Sequence, residues 1–240
     1  MTKILKGFAL SFSMLTSLPF FKIHDFDKGI NGYAVMFYPL VGFFLGLILW
    51  LTHSFLVGFL EPMHLGIVIF ALLVMLTGGL HLDGLSDTID GLFVSKEKAL
   101  EVMKDSHTGG MGMIFSVVFL ILKASTFAHF EAFYLLPLVL MFSRFNASFA
   151  ICKFSYINKN GIGALAKQEF TKEQLFIAFL YVSILSLFSF WLFVLSMLVL
   201  FVIKTFFVKR YGGFSGDIYG FSIEITELIL LNAILLGVGV

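Results

Sequence analysis

Gly78-Gly79-Leu80-His81-Leu82-Asp83-Gly84-Leu85-Ser86-Asp87-Thr88-Ile89-Asp90-Gly91 closes a long apolar run and sets three aspartates and a histidine at its end. Asp83, Asp87 and Asp90 stand at i, i+4 and i+7. On a helix that spacing puts the three carboxylates on one face. Unpaired, they repel one another and resist leaving water near a membrane. A hard cation such as Mg²⁺ offsets both costs, and Mg²⁺ characteristically works beside substrate phosphates. Helix capping accounts for one aspartate of such a set, since Asp is a favoured cap, but not for three on one face. The stretch therefore reads as magnesium-assisted phosphoryl chemistry at a membrane surface, with Asp83, Asp87 and Asp90 as metal ligands and catalytic groups. His81, just ahead of them, is a candidate to bind phosphate or carry a proton.

The rest of the chain explains why charges here are conspicuous. Of 240 residues, 59% are hydrophobic and only 13% charged, and the mean hydropathy is +1.00. Soluble domains are about 45–50% apolar and about 25% charged. The composition predicts an all-α, polytopic helical bundle in a lipid bilayer, and the 32 phenylalanines suit lipid-facing and interhelical packing. A net charge of +1 gives no case for nucleic-acid binding. The single cysteine, Cys152, excludes an intrachain disulfide and a cysteine-rich metal site.

Apolar runs near 34–60, 65–81, 110–128, 133–151, 174–190, 191–208 and 221–238 predict seven spans, the second and fifth being short. The first apolar stretch, Ile4 to Phe21, lacks a clear small-residue cleavage site and is not expected to be a signal peptide. It is marginal in length and runs into Leu18-Pro19, so it is expected to be re-entrant or interfacial. With seven spans, Lys3, Lys6, Lys22 and Lys28, then Lys96, Lys98 and Lys104, then Lys153, Lys159, Lys167 and Lys172, and finally Lys204, Lys209 and Arg210 all fall on one side. The positive-inside rule makes that side cytoplasmic. The aspartates and the Gly-rich stretches fall there too. With no tandem repeat and no polar loop long enough to fold alone, residues 1–240 are expected to form one membrane-embedded catalytic domain.

Three further groups join the candidate site. Lys104-Asp105-Ser106-His107-Thr108-Gly109-Gly110-Met111-Gly112 is a Gly-rich turn into a helix, whose N–H groups favour anions. Lys104, Asp105 and Ser106 are expected to contact substrate. Arg144 lies within an apolar span, where an arginine faces a partner or a polar cavity; it is read as a phosphate clamp or as the partner of an acid such as Glu224. Lys123 is read as snorkelling from a span end. Tyr211-Gly212-Gly213-Phe214-Ser215-Gly216-Asp217 precedes Glu224 and Glu227. Gly212 and Gly213 permit close backbone approach to a ligand. Glu224 and Glu227, three apart in an apolar segment, are expected to complete a metal site with Asp217, pair with Arg144, or act as general base.

The motifs 79–91 and 212–217 together resemble the cobalamin synthase family, also called adenosylcobinamide-GDP ribazoletransferases. Met103-Lys104-Asp105-Ser106, Ser143-Arg144 and Tyr38-Pro39-Leu40-Val41-Gly42 match in order, so the likeness runs over nearly the whole chain. Departures are Ser17, where many members carry arginine, Leu82, where some are acidic, and Ser215, where threonine is usual. The resemblance implies a Mg²⁺-dependent enzyme of the bacterial or archaeal cell membrane at a late step of cobalamin assembly. It joins adenosylcobinamide-GDP to α-ribazole or its 5′-phosphate and releases GMP. Substrate contacts are implied for Lys104, Asp105, Ser106, Arg144, Gly212, Gly213 and Ser215, and metal contacts for Asp83, Asp87, Asp90, Asp217, Glu224 and Glu227. A homo-oligomer, or other late cobalamin-assembly enzymes, are the partners it suggests. Two rivals use similar residues. CDP-alcohol phosphotransferases share spaced aspartates but have an alanine–arginine pair that is missing here after Asp83-Gly84. Ion-coupled transporters also carry intramembrane acids, though no two halves of this chain look repeated.

Overall fold

The computed structural model describes residues 2–18, 27–105, 107–158 and 161–237. Ser106 therefore lies outside the described residues, as do the Pro19–Phe21 end of the first apolar stretch, Lys22 and Lys159. The helices are α1 Lys3–Leu15, α2 Ile30–Leu56, α3 Pro62–Thr77, α4 Leu80–Leu92, α5 Lys96–Val102, α6 Gly110–Ala128, α7 Leu136–Lys153, α8 Ile162–Glu169, α9 Lys172–Ser186, α10 Phe190–Tyr211 and α11 Gly216–Leu235. Among the described residues no strand forms, and the expected all-α membrane bundle is what the chain builds.

Five helical segments are long and apolar enough to cross a membrane: α2, α6, residues 133–153 including α7, α10 and α11. α3 and α4 pass that test only together, as a pair bent by 84°. α9 has 15 residues, about 23 Å at 1.5 Å per residue, against a hydrocarbon core of about 30 Å. Length and composition thus support five spans, or six with the bent pair; α3 and α9 are the two runs whose shortness the sequence already displays. α1, at 13 residues, reaches only about 20 Å and packs along α2.

The bend between α3 and α4 has a local cause. Gly78 (φ 61°) ends α3 and Gly79 (φ 70°) opens α4, and both sit in the left-handed region that side chains disfavour. Ser17 ties the end of α1 to this break. Its N–H donates to the Leu76 carbonyl (2.8 Å) and its hydroxyl to the Met75 carbonyl (2.6 Å).

α7 is the central helix, 83% buried along its span, whereas α6 and α10 are 28% and 33% buried and face outward. α2 lies closely against α7. Cβ atoms added at Gly42 or Gly46 would strike the α7 backbone at Leu140 or at Leu136 and Pro137, the small-residue contact by which apolar helices approach. Pro39 interrupts α2 and has no N–H for the Val35 carbonyl. In an apolar surround an orphaned carbonyl is costly, and α7 supplies the missing donor: the Ser148 hydroxyl reaches Val35 O at 2.8 Å. The Tyr181 hydroxyl of α9 donates to Met36 O (2.7 Å) in the same turn.

Ser148→Ala is expected to destabilise the protein in detergent by about 1–3 kcal/mol through the orphaned carbonyl. Pro39→Ala in the same chain should recover most of that loss by restoring the backbone donor. Thermal unfolding of the two single variants and the double variant checks both statements.

Candidate active site

α4 is the helix the aspartate spacing predicts, and its acidic face is graded in burial. Asp83 is exposed, Asp87 half-buried and Asp90 buried. α4 runs against α11 at two glycines. A Cβ at Gly84 would lie 2.9 Å from the Asp217 carbonyl oxygen, and one at Gly220 would lie 3.2 Å from that of His81. This close crossing brings Asp83 and Asp87 of α4 within electrostatic reach of Asp217, in the first turn of α11. Lys104, exposed on the loop after α5, is the cation in reach of Asp217. Ser215 caps α11, accepting from the Ile218 N–H (3.2 Å) and donating to Asp217 Oδ2 (3.2 Å). Those two bonds fasten Asp217 to the start of α11.

Beside this acidic crossing lies a chamber of about 280 Å³. Asp83, Asp217 and His81 line one side, and Met14, Tyr38, Ala147 and Ile223 are among its apolar walls. α1, α2, α7 and α8 all contribute to it, so the short N-terminal helix helps close the site.

Asp90 faces elsewhere. Its carboxylate accepts from the Gly109 N–H (2.7 Å) and the Gly112 N–H (2.7 Å) at the start of α6. The expectation that this Gly-rich turn offers its donors to a substrate phosphate is thus corrected: the anion bound there is Asp90. Both its oxygens are engaged, which separates Asp90 from Asp83 and Asp87 in role. Asp105 is exposed and bonds His107 through Nδ1 (2.7 Å), which holds its carboxyl below the usual range.

For Glu224, Glu227 and Arg144 the structure shows ion pairing, one of the readings open in the sequence. Lys123 Nζ donates to Glu224 Oε2 and Glu227 Oε2, each at 2.6 Å, and Arg144 pairs with Glu227. All four side chains are buried, Lys123 being only 2% exposed. Two cations and two carboxylates neutralise one another there, while Nε and Nη2 of Arg144 have no hydrogen-bond partner among the described residues. Arg144 takes Glu227 rather than Glu224. The Lys123 side chain turns into the bundle instead of snorkelling, and its missed signal was one lysine in an apolar run facing two glutamates in another.

The 212–214 loop is built on backbone pairing. Gly212 ends α10 at φ 84°, and Gly213 packs against the Ser155 backbone. Phe214 N–H donates to Ser155 O (2.8 Å) and Ile157 N–H to Phe214 O (2.9 Å). At Gly213 the close approach is to the chain itself, whereas nothing lies within 4 Å of a Cβ placed at Gly212. That pairing seats Tyr156, which the sequence did not mark, stacked on Tyr219 with ring centroids 6.0 Å apart. Burial, reinforced by the Asp217 charge, pushes the Tyr156 hydroxyl above its usual value. Among the described residues no three His, Cys, Asp or Glu side chains converge closely enough to enclose a metal ion.

Fold and site define a helical membrane protein with a carboxylate-lined pocket at the crossing of two helices. The family model for cobalamin-5-phosphate synthase matches residues 7–235. The chain belongs to that family. Relatives named adenosylcobinamide-GDP ribazoletransferase include one from Desulfitobacterium hafniense, 36% identical over 212 residues, covering 81% of this chain and 83% of its own. Another, from Desulforamulus reducens, is 37% identical and covers 95% of each chain. A third, from Acinetobacter baumannii strain ACICU, is 36% identical over 84% of this chain and 85% of its own. No solved structure matches the chain.

Two substitutions separate the structural acids from the others. Asp90→Ala should lower stability by about 3 kcal/mol, since two charge-assisted hydrogen bonds are lost, and should expose the 103–110 loop to limited proteolysis. Glu227→Ala leaves buried cations under-compensated and should cost about 3–5 kcal/mol. Chemical or thermal denaturation in detergent measures both.

Proposed function

We propose that this protein transfers the adenosylcobinamide phosphate group of adenosylcobinamide-GDP to α-ribazole or α-ribazole 5′-phosphate and releases GMP. The names of the relatives supply the reaction class. The observation that carries the reading to these residues is the crossing at Gly84 and Gly220, which sets Asp83 and Asp217 together at the chamber, with Asp87 within electrostatic reach of both.

The acceptor hydroxyl oxygen bonds to the phosphorus that carries the cobinamide, and the bond from that phosphorus to the bridging oxygen of GMP breaks. Asp87 takes the hydroxyl proton; Asp90 is engaged by two N–H donors and does not compete for that role. Lys104 steadies the diphosphate oxygens. The donor set tests well against Mg²⁺. It consists of hard oxygens, and Mg²⁺ uses one or two carboxylates with substrate phosphates and water rather than an all-protein cage. That suits a site where no three acids converge. Asp83 and Asp217 would hold the ion, which would supply neutralisation of charge on the diphosphate. The lysine and arginine bias supports a cytoplasmic position for this end of the bundle.

The test is GMP release by purified protein in detergent, with both substrates, with and without Mg²⁺. Release should require the metal, and Asp87→Asn should lower it by about 100-fold or more while the unfolding temperature stays unchanged. Absence of GMP release by folded wild-type protein would overturn the reading. Retained activity in Asp87→Asn would move the proton acceptor elsewhere.

A further inference from the structure

Among the described residues, two buried polar atoms on the chamber lining have no protein partner: Nε2 of His81, a side chain 3% exposed, and the hydroxyl of Tyr219, 7% exposed. They come from the two helices that cross here, α4 and α11. A buried donor or acceptor left unpaired costs about 1–3 kcal/mol, and two on residues lining one cavity point to a ligand that satisfies them.

The rest of the chamber states what that ligand is like. Its volume of about 280 Å³ is at the lower edge of small-molecule pockets, about 300–1,000 Å³. That suits a flat bicyclic base with part of its sugar better than a tetrapyrrole-derived macrocycle with its amide arms. The walls at Met14, Tyr38, Ala147 and Ile223 are apolar and closely set. Guanine presents polar atoms around most of its edge, and most of them would go unpaired against such walls. A fused heteroaromatic base with one free ring nitrogen leaves few polar atoms to satisfy. We infer that the chamber is the acceptor site, taking a nitrogen heteroaromatic nucleoside base, with His81 and Tyr219 bonding its free ring nitrogen and its sugar. This rests on the transfer reaction proposed above and assigns its two substrates to different surfaces. Asp83 and Asp217, on the same wall as His81, then face the sugar end, where the reacting hydroxyl lies.

The experiment varies acceptor and donor separately in steady-state assays of wild type, Tyr219→Phe and Ala147→Leu, alongside the thermal shift given by α-ribazole alone. Ala147→Leu fills the chamber and should raise the acceptor KM about tenfold or more, with the donor KM within about twofold. Tyr219→Phe removes one hydrogen bond and should raise the acceptor KM by about threefold to tenfold. That penalty should vanish with an indole-type analogue lacking the ring nitrogen or with one lacking the sugar hydroxyl. The stabilisation by α-ribazole alone should be lost in Ala147→Leu. A rise confined to the donor KM, or no change in either, overturns the assignment. A wild type that is stabilised by α-ribazole yet releases no GMP would retain the acceptor site and overturn the transfer reaction. A wild type that turns over without any α-ribazole shift that Ala147→Leu abolishes would do the reverse.

Discussion

Two consecutive residues in left-handed backbone conformation, Gly78 and Gly79, hold the acidic end of this protein together. Each L side chain forced into that region costs roughly 1–2 kcal/mol, so the sharp reversal between α3 and α4 is open to a glycine pair and resisted by most other dipeptides. Without the 84° turn, α4 would continue the direction of α3. Its aspartates would then run on along that axis instead of meeting α11. The Gly84–Asp217 and His81–Gly220 contacts follow from the turn, and so does the chamber beside them.

The same economy of polar groups recurs through the bundle. Pro39 breaks the α2 ladder, and Ser148 from α7 and Tyr181 from α9 supply donors to the two carbonyls of that turn. The first N–H groups of α6 have no helical partner of their own, and Asp90 from α4 takes two of them. The Arg210 guanidinium reaches Leu92 O (3.0 Å), and the Tyr211 hydroxyl reaches Gly91 O (2.9 Å), fastening the end of α10 to the end of α4. In each case a polar side chain on one helix repairs a backbone defect on another. The defects and their repairs fix which helices are neighbours.

The helical class, the clustering of the aspartates on one face and the shortness of two runs were legible in the sequence, because periodicity and length are local properties. The division of labour among those aspartates was not. Asp83, Asp87 and Asp90 look alike at i, i+4 and i+7; what sorts them is Asp217 on one side and the Gly109 and Gly112 donors on the other, all remote in sequence. Which of the readings open to Glu224 and Glu227 holds is likewise not visible until Lys123, about 100 positions away, is seen between them. An acidic partner for Arg144 was one of the readings open in the sequence, and the structure selects Glu227 between the two glutamates. Tyr156 carried no signal at all, since its place depends on a backbone pairing with Phe214.

The buried ionic group has a consequence for biogenesis. Lys123 belongs to α6, Arg144 to α7, and both glutamates to α11. Within their apolar stretches these helices carry one positive, one positive and two negative charges, and the sum reaches zero only when all three are side by side. Each charge at a membrane midplane resists insertion by about 2.5–3.5 kcal/mol. α11 is synthesised last, so α6 and α7 enter the bilayer before their counter-charges exist. Docking of α11 therefore completes the charge balance, and without it Lys123 and Arg144 stand as two uncompensated cations in the bundle.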